Sequence, residues 1–218
     1  METHREGGGR AVEATVEGLL YVEVECLPEL ETEFHAWYNL EHVPERLRIP
    51  GFRNACRYAA VEGRPRWLAT YGLDNPAVLG SRVYRQWMGP LQTPWTARMV
   101  SSTRVRRSVF RSAGRVGKGD ASDARGLLAI RYASAAPESQ RLHNWHDLVF
   151  ARDLTGGTGV VRADRYEDVE TAEHLVLYHL DDAWVTQQQW FAKVWVAGWE
   201  GQRDSLADWK RTLYVRIL

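Results

Sequence analysis

Gly18-Leu19-Leu20-Tyr21-Val22-Glu23-Val24-Glu25 opens the ordered part of the chain. Leu20, Val22 and Val24 alternate with Tyr21, Glu23 and Glu25, the period of two of a half-buried strand with one polar face. Its first three residues return 108 positions later as Gly126-Leu127-Leu128. Trp37 and Trp145 keep the same offset, as do Arg57-Tyr58 and Arg165-Tyr166. Leu68, Tyr71, Leu73 and Asp74 are answered by Leu175, Tyr178, Leu180 and Asp181 at an offset of 107, one residue being lost in a hairpin. Landmarks that hold register over so long a stretch predict an internal duplication.

Outward from the first strand, Leu27-Pro28 ends it, and Leu30, Phe34, Trp37, Leu40 and Val43 follow at helical spacing. Pro44 disfavours helical geometry at Val43, so the helix is expected to end near His42, with an irregular turn up to Pro50-Gly51. Strands are expected at about Phe52 to Val61 and Arg66 to Leu73, joined by Glu62-Gly63-Arg64-Pro65. Asp74-Asn75-Pro76 then starts a helix carrying Val78, Leu79, Val83 and Trp87, and a fourth strand covers Thr103 to Phe110. The order is βαββαβ, the ferredoxin-like unit. The expected organisation is a disordered N-terminus over 1–17, one unit over 18–111, a flexible linker over 112–125 and a second unit over 126–218.

Such a unit covers one sheet face with helices and must bury the other. The second copy is the nearest cover, which gives an α+β fold: two ferredoxin-like repeats packed sheet to sheet as a barrel within one chain, a pseudo-dimer. On this arrangement Glu23 and its counterpart Arg131 both point inward and can pair across the barrel, since neither is tolerated there alone. A further homodimer of the whole chain stays open.

Composition excludes several functions. Lys+Arg and Asp+Glu both number 28, for a formal net charge of +0. No long-range field recruits nucleic acid or an anionic membrane. No apolar run approaches the roughly 18 residues of a membrane span. Cys26 and Cys56 make neither a disulfide framework nor a zinc set, and no signal peptide opens the chain, so a cytoplasmic protein is expected. Thr155-Gly156-Gly157-Thr158-Gly159 lacks the spacing of a phosphate loop.

The ionisable chemistry gathers where the first helix ends. His35, Tyr38 and His42 share a face. His42, titrating near neutrality, can act as general acid or base, with Tyr38 assisting and Arg46 or Arg57 holding a carboxylate or enolate. The structural alternative is that His42 caps a helix-end carbonyl and Glu41 pairs with Arg46. His35, Glu41, Arg57, Tyr71, Trp87, Glu23, Arg131 and His146 are further candidates for substrate contact. Tyr58 and Tyr71 recur in the second half and are equally explained as packing, and His179 reads as a satisfied core histidine. The chain holds 10 tryptophans. Trp87, Trp95, Trp184, Trp190, Trp195 and Trp199 can wall an apolar cavity or form helix-to-sheet core.

The segment Trp37-Tyr38-Asn39-Leu40-Glu41-His42-Val43-Pro44-Glu45-Arg46-Leu47, with Ile49-Pro50-Gly51-Phe52 after it, resembles the dimeric α+β barrel superfamily, nearest its EthD-like branch. The resemblance implies a small apolar cavity in each half, closed by the first helix. It also implies one of several activities: cyclases, muconolactone-type isomerases, decarboxylases or dehydratases, cofactor-free quinol-type monooxygenases, or haem enzymes. In the second half Glu41-His42 becomes Val149-Phe150, Arg46 becomes Leu154, and Tyr38-Asn39 becomes His146-Asp147. The first half is thus expected to hold the active pocket, although four of the seven histidines, His143, His146, His174 and His179, lie in the second. No histidine is flanked as an axial haem ligand. The expectation is a lyase or isomerase of cyclase type from secondary metabolism. It would act without metal or cofactor on a small hydrophobic, oxygenated metabolite, in the barrel cavity. The alternatives are a non-catalytic small-molecule carrier and, behind it, a haem-binding protein.

Overall fold

The structure is a computed structural model that describes residues 16–134, 138–203 and 206–218. The disorder expected for the N-terminus falls outside the described residues up to position 15. From there the chain forms β1 (Gly18–Cys26), α1 (Glu31–Trp37), a wide turn over Tyr38–His42, α2 (Val43–Leu47), β2 (Phe52–Glu62), β3 (Trp67–Leu73), α3 (Arg82–Trp87), α4 (Pro94–Ser101) and β4 (Thr103–Val116). The second unit repeats this with β5 (Gly126–Ala133), α5 (Glu138–Trp145), a wide turn over His146–Phe150, α6 (Ala151–Thr155), β6 (Val160–Asp168), β7 (Glu173–Leu180), α7 (Gln189–Trp195) and β8 (Ala207–Arg216). All strand pairs are antiparallel, and they close in the order β1-β3-β2-β8-β5-β7-β6-β4. Each unit contributes four neighbouring strands, and the edges meet at β2–β8 and β4–β6. Closure removes every free sheet edge.

Closure also explains two departures from expectation. β1 is buried on both faces, because its polar side lines the barrel interior: Leu19, Tyr21 and Phe110 pack there with Leu127 and Tyr214, while Leu20, Val22 and Val24 pack under the helices. The expected linker is partly strand. β4 runs to Val116 and pairs Ser112 with Tyr166 and Arg115 with Asp164. Without those residues the edge of β6 would carry unpaired backbone groups.

The helix does not stop at His42. The Val43 N–H bonds to the carbonyl of Tyr38, five residues back, and Val43 keeps helical angles of −64° and −49°. The extra residue in this wide turn takes the preceding carbonyls off the helical ladder, and Pro44, which has no N–H to place, fits at the start of the next segment. The same wide turn recurs at His146–Phe150.

Gly51 has a φ of +95°, and a Cβ there would lie 2.4 Å from Val78 Cγ2. Gly159 has a φ of +91° and abuts Val185 in the same way. Gly51→Ala is therefore expected to cost about 1–3 kcal/mol in unfolding free energy, measured by urea denaturation. A loss below a few tenths would show that the turn relaxes.

Of the tryptophans, Trp195 and Trp199 are buried in the helix-to-sheet core of the second unit, whereas Trp184 is exposed. Glu23 and Arg131 meet inside the barrel. Arg131 Nη1 donates to Glu23, and its Nη2 donates to Ser108 Oγ at 3.1 Å and to Glu173. The guanidinium lies 5.6 Å from the Tyr21 ring centroid and 5.9 Å from that of Phe110. The acid of one unit thereby neutralises the base of the other.

Candidate functional site

Under the first unit's helices, α1, the wide turn and α2 lay a polar cluster against the outer face of β2 and β3. Phe34, Trp37, Tyr38, Phe52, Tyr71 and Tyr84 form its apolar floor. The wide turn sets His42 against both Trp37 and Tyr38, with ring centroids at 4.4 and 5.2 Å. Arg57 reaches in from β2. Its guanidinium lies 4.3 Å from the Tyr38 centroid, donates to Asn39 Oδ1 at 2.6 Å, and meets His35 Nδ1 at 2.9 Å. Arginine only donates, so His35 Nδ1 accepts and that imidazole is neutral. Burial lowers the His35 pKa, with Arg57 and Arg66 adding to the effect.

Arg46 comes from α2 and is 2% exposed. Its guanidinium lies 5.9 Å from the Tyr84 centroid, and Arg107 packs on the same ring at 5.8 Å while donating to the Tyr84 hydroxyl. Three buried polar atoms of this cluster have no hydrogen-bond partner: His42 Nδ1, Arg46 Nη1 and the Tyr71 hydroxyl. Among the described residues no carboxylate forms a salt bridge with Arg46, Arg57 or Arg107. Arg46 and Arg57 are buried, at 2% exposure each, whereas Arg107 is exposed, and buried cations are ordinarily paired. Among the described residues, the positive charge of Arg46 and Arg57 has no carboxylate within salt-bridge distance.

Burial holds the His42 pKa well below the usual 6.5, and the charges of Arg46, Arg107 and Arg57 lower it further. Burial likewise raises the Tyr38 phenol to about 12 and the Tyr71 phenol well above 10.0. At neutral pH the cluster holds two neutral imidazoles, His35 and His42, and the neutral phenols of Tyr38 and Tyr71 among cations. Below pH 6.5 an unfolded His42 takes up a proton that the folded one refuses, so unfolding free energy falls as the pH drops from 7 towards 5. His42→Gln is expected to flatten part of that slope in urea melts at the two pH values. An unchanged slope would place His42 in an ordinary solvated setting.

The fold thus brings His35, Tyr38, His42, Arg46, Arg57 and Tyr71 together, and adds Asn39, Tyr84 and Arg107. Sequence spacing gives no signal for the last two, because α3 and β4 reach the cluster only through the tertiary fold. Other expected contacts lie elsewhere. Glu41 faces α4, accepting from Thr93 Oγ1 at 2.5 Å and Thr96 Oγ1 at 2.8 Å. Trp37 Nε1 donates to the same threonine at 2.9 Å. Glu41 ties two helices together and neither lines the cluster nor pairs with Arg46. Trp87 packs half-buried at the border of this core. Glu23 and Arg131 are on the opposite sheet face, satisfied by each other and by Glu173.

His146 sits in the second unit, 1% exposed. Its Nε2 is 2.8 Å from the Tyr178 hydroxyl and its Nδ1 2.7 Å from Asp147 Oδ1. Trp199 Nε1 donates to the Tyr178 hydroxyl at 2.6 Å, and Arg165 Nη2 donates to Asp147 Oδ2 at 2.8 Å. Trp199 can only donate, so the chain runs Trp199 to Tyr178 to His146 to Asp147 with every polar atom used. Arg165, the counterpart of Arg57, has two carboxylate partners, Asp147 and Glu167.

A cavity of about 330 Å³ lies at one end of the barrel interior, lined by Cys56, Tyr58, Arg162, Asp164 and His179 among others. Asp164 there accepts from His179 at 3.1 Å, Arg162 at 3.0 Å and Arg115 at 2.9 Å. Burial pushes its carboxyl up, but those hydrogen bonds and charges outweigh it and hold the pKa at about 2. His179 is a satisfied core histidine. The barrel cavity shares no lining residue with the His42 cluster.

No family model matches the sequence, and no curated protein matches it. Solved structures do share the fold. An anthrone oxidase-like protein superposes with a TM-score of 0.66 at 9% identity, covering 95% of this chain and 94% of its own. A candidate monooxygenase from Fusobacterium nucleatum gives 0.62 at 9% identity, covering 93% and 94%. A candidate monooxygenase from Lactobacillus acidophilus NCFM gives 0.59 at 6% identity, covering 92% and 94%. At such identities the likeness is one of fold, that of a ferredoxin-like α+β barrel.

Proposed function

We propose that this α+β barrel binds a small oxygenated aromatic or polyketide-like molecule beneath α1 and α2 of the first unit and converts it by proton abstraction. The observation that carries this is the pair of buried arginines, Arg46 and Arg57, without carboxylate partners among the described residues, beside the unpartnered His42 Nδ1 and Tyr71 hydroxyl. Neutral His42 takes the proton from an acidic C–H next to a carbonyl or phenol. The anion that forms places its oxygen charge between Arg46 and Arg57. Unit charges about 4 Å apart at an effective dielectric of about 20 interact by about 4 kcal/mol. The arginines that oppose an imidazolium in the free protein are thus offset once the substrate is an anion. Proton transfer and anion binding then favour each other.

The anion's fate is oxidation by dioxygen: a ring CH2 becomes a carbonyl, one oxygen atom stays in the product, and the other leaves with the two hydrogens as water. The oxidase-like and monooxygenase-type fold neighbours support this outcome over the cyclase, isomerase or lyase chemistry expected from the sequence. Those reactions start from the same enolate. We also infer that the chain is a tandem duplication near the EthD-like branch, over 18–111 and 126–218. The paired wide turns and the matching glycines Gly51 and Gly159 support that history.

A dihydroxyanthrone is the direct probe, since it carries both the acidic CH2 and the phenolic oxygens. Turnover to the anthraquinone with equimolar oxygen uptake is expected. Binding without turnover would make the protein a carrier, and absence of binding would overturn the site.

A further inference from the structure

The second unit holds a different chemistry under its own helices. His143 on α5, Glu167 on β6 and His174 on β7 each offer one ligand atom, and these atoms lie within 4.8 Å of one another. Glu167 and His174 are direct cross-strand partners, and His143 descends on them from the helix. Both histidines are buried, at 4% and 7% exposure, whereas the Glu167 side chain is half exposed.

Two further observations make this more than a polar cluster. Among the described residues, His143 Nε2 and His174 Nδ1 are buried and have no hydrogen-bond partner. His174 directs its other nitrogen, Nε2, to the backbone carbonyl of Ser134 at 3.2 Å, and the Tyr132 ring stacks on it at 5.2 Å. One imidazole nitrogen donating to a backbone carbonyl while the other is left free, in a ring held by packing, is the arrangement of a metal-ligating histidine. Glu167 is only loosely engaged, 3.6 Å from His143 Nδ1 and 3.4 Å from Arg165 Nη1.

We propose that His143, Glu167 and His174 bind a divalent transition metal ion. Two imidazoles and one carboxylate suit Zn²⁺ or Fe²⁺, with the solvent side left for water or a further ligand. Metal–ligand bonds near 2.0–2.2 Å require donor atoms roughly 3.0–3.5 Å apart. The half-exposed Glu167 side chain can swing to close the gap. The first unit cannot copy this site. At the corresponding positions it has His35, Ala59 and Trp67, with His35 packed edge-on against the tryptophan at 4.4 Å. The site is independent of the His42 cluster and does not rest on the reaction assigned there.

The test is a calorimetric titration of chelator-treated, full-length protein with ZnCl2, paired with thermal melts. One equivalent is expected to bind and raise the melting temperature. Glu167→Ala is expected to weaken the affinity tenfold or more, and His174→Asn is expected to abolish the melting shift. Glu167 is half exposed and its alanine occurs at the matching place in the first unit, so this variant tests the site without loss of the fold. Wild-type protein that binds no zinc, or Glu167→Ala and His174→Asn variants that bind it as wild type does, would overturn the assignment.

Discussion

Glu23→Ala is expected to lower the unfolding free energy by about 3 kcal/mol, one of the largest effects of any single substitution in the chain. Breaking a buried ion pair by removing one partner typically costs about 3–5 kcal/mol, because the remaining charge is stranded. Arg131 is 4% exposed and packed between Tyr21 and Phe110, so no bulk water replaces the lost carboxylate. The value falls at the lower end because Ser108 and Glu173 still accept from Arg131. Replacing both partners, as Glu23→Leu with Arg131→Met, is expected to be far milder, since Glu173, the remaining carboxylate, keeps its ion pair with Arg106. Urea denaturation of the two variants and the wild type measures this. A single variant no worse than the double would show that the interior is wet and the pair is screened.

His42→Ala is expected to reduce turnover of the anthrone probe by about 10²–10⁴, the usual contribution of a positioned general base. KM is expected to change much less, because the arginines hold the anion and the base does not. Arg46→Met should show the reverse, with a larger share of its loss in KM. His146→Phe, a change in the second unit outside the first pocket, leaves the rate unchanged on this account. Equal losses from His42→Ala and His146→Phe would move the chemistry to the other half.

Much of the architecture is legible in the residues. The alternation in Gly18–Glu25, the echo at Gly126 and the register of Trp37 with Trp145 depend on local periodicity and on repetition, and both survive into the closed barrel. The joint inward placement of Glu23 and Arg131 follows from the same two-residue period. Legibility fails where distant segments decide. Pro44 looks like a helix stop because local sterics say so, yet the wide turn at Tyr38–His42 accommodates it. The small polar residues from Ser112 onward look like a linker, but β6 needs an edge partner and recruits them.

The site shows the same division. His35, Tyr38, His42 and Arg46 lie on one short segment, and their shared face is a local property. Arg107 and Tyr84 arrive from elements far along the chain. Glu41 carries the same motif, but Thr93 and Thr96, some fifty residues on, decide its direction. His143, Glu167 and His174 share no motif at all. They meet because a helix is laid across a strand pair, which spacing alone cannot show.

The central claim is that the uncompensated arginines of the first unit bind an anionic aromatic oxygen. The contrast between Arg57, with no carboxylate partner among the described residues, and Arg165, held by Asp147 and Glu167, makes it testable. The decisive measurement is the dissociation constant of a hydroxyanthraquinone, followed by its absorption shift, for wild type, Arg46→Met, Arg57→Met and Arg165→Met. Loss of a charge-assisted hydrogen bond is worth about 1.5–3 kcal/mol, so Arg46→Met and Arg57→Met are predicted to weaken binding by roughly 10- to 150-fold and Arg165→Met to leave it unchanged. Equal affinity in all four proteins would contradict the account.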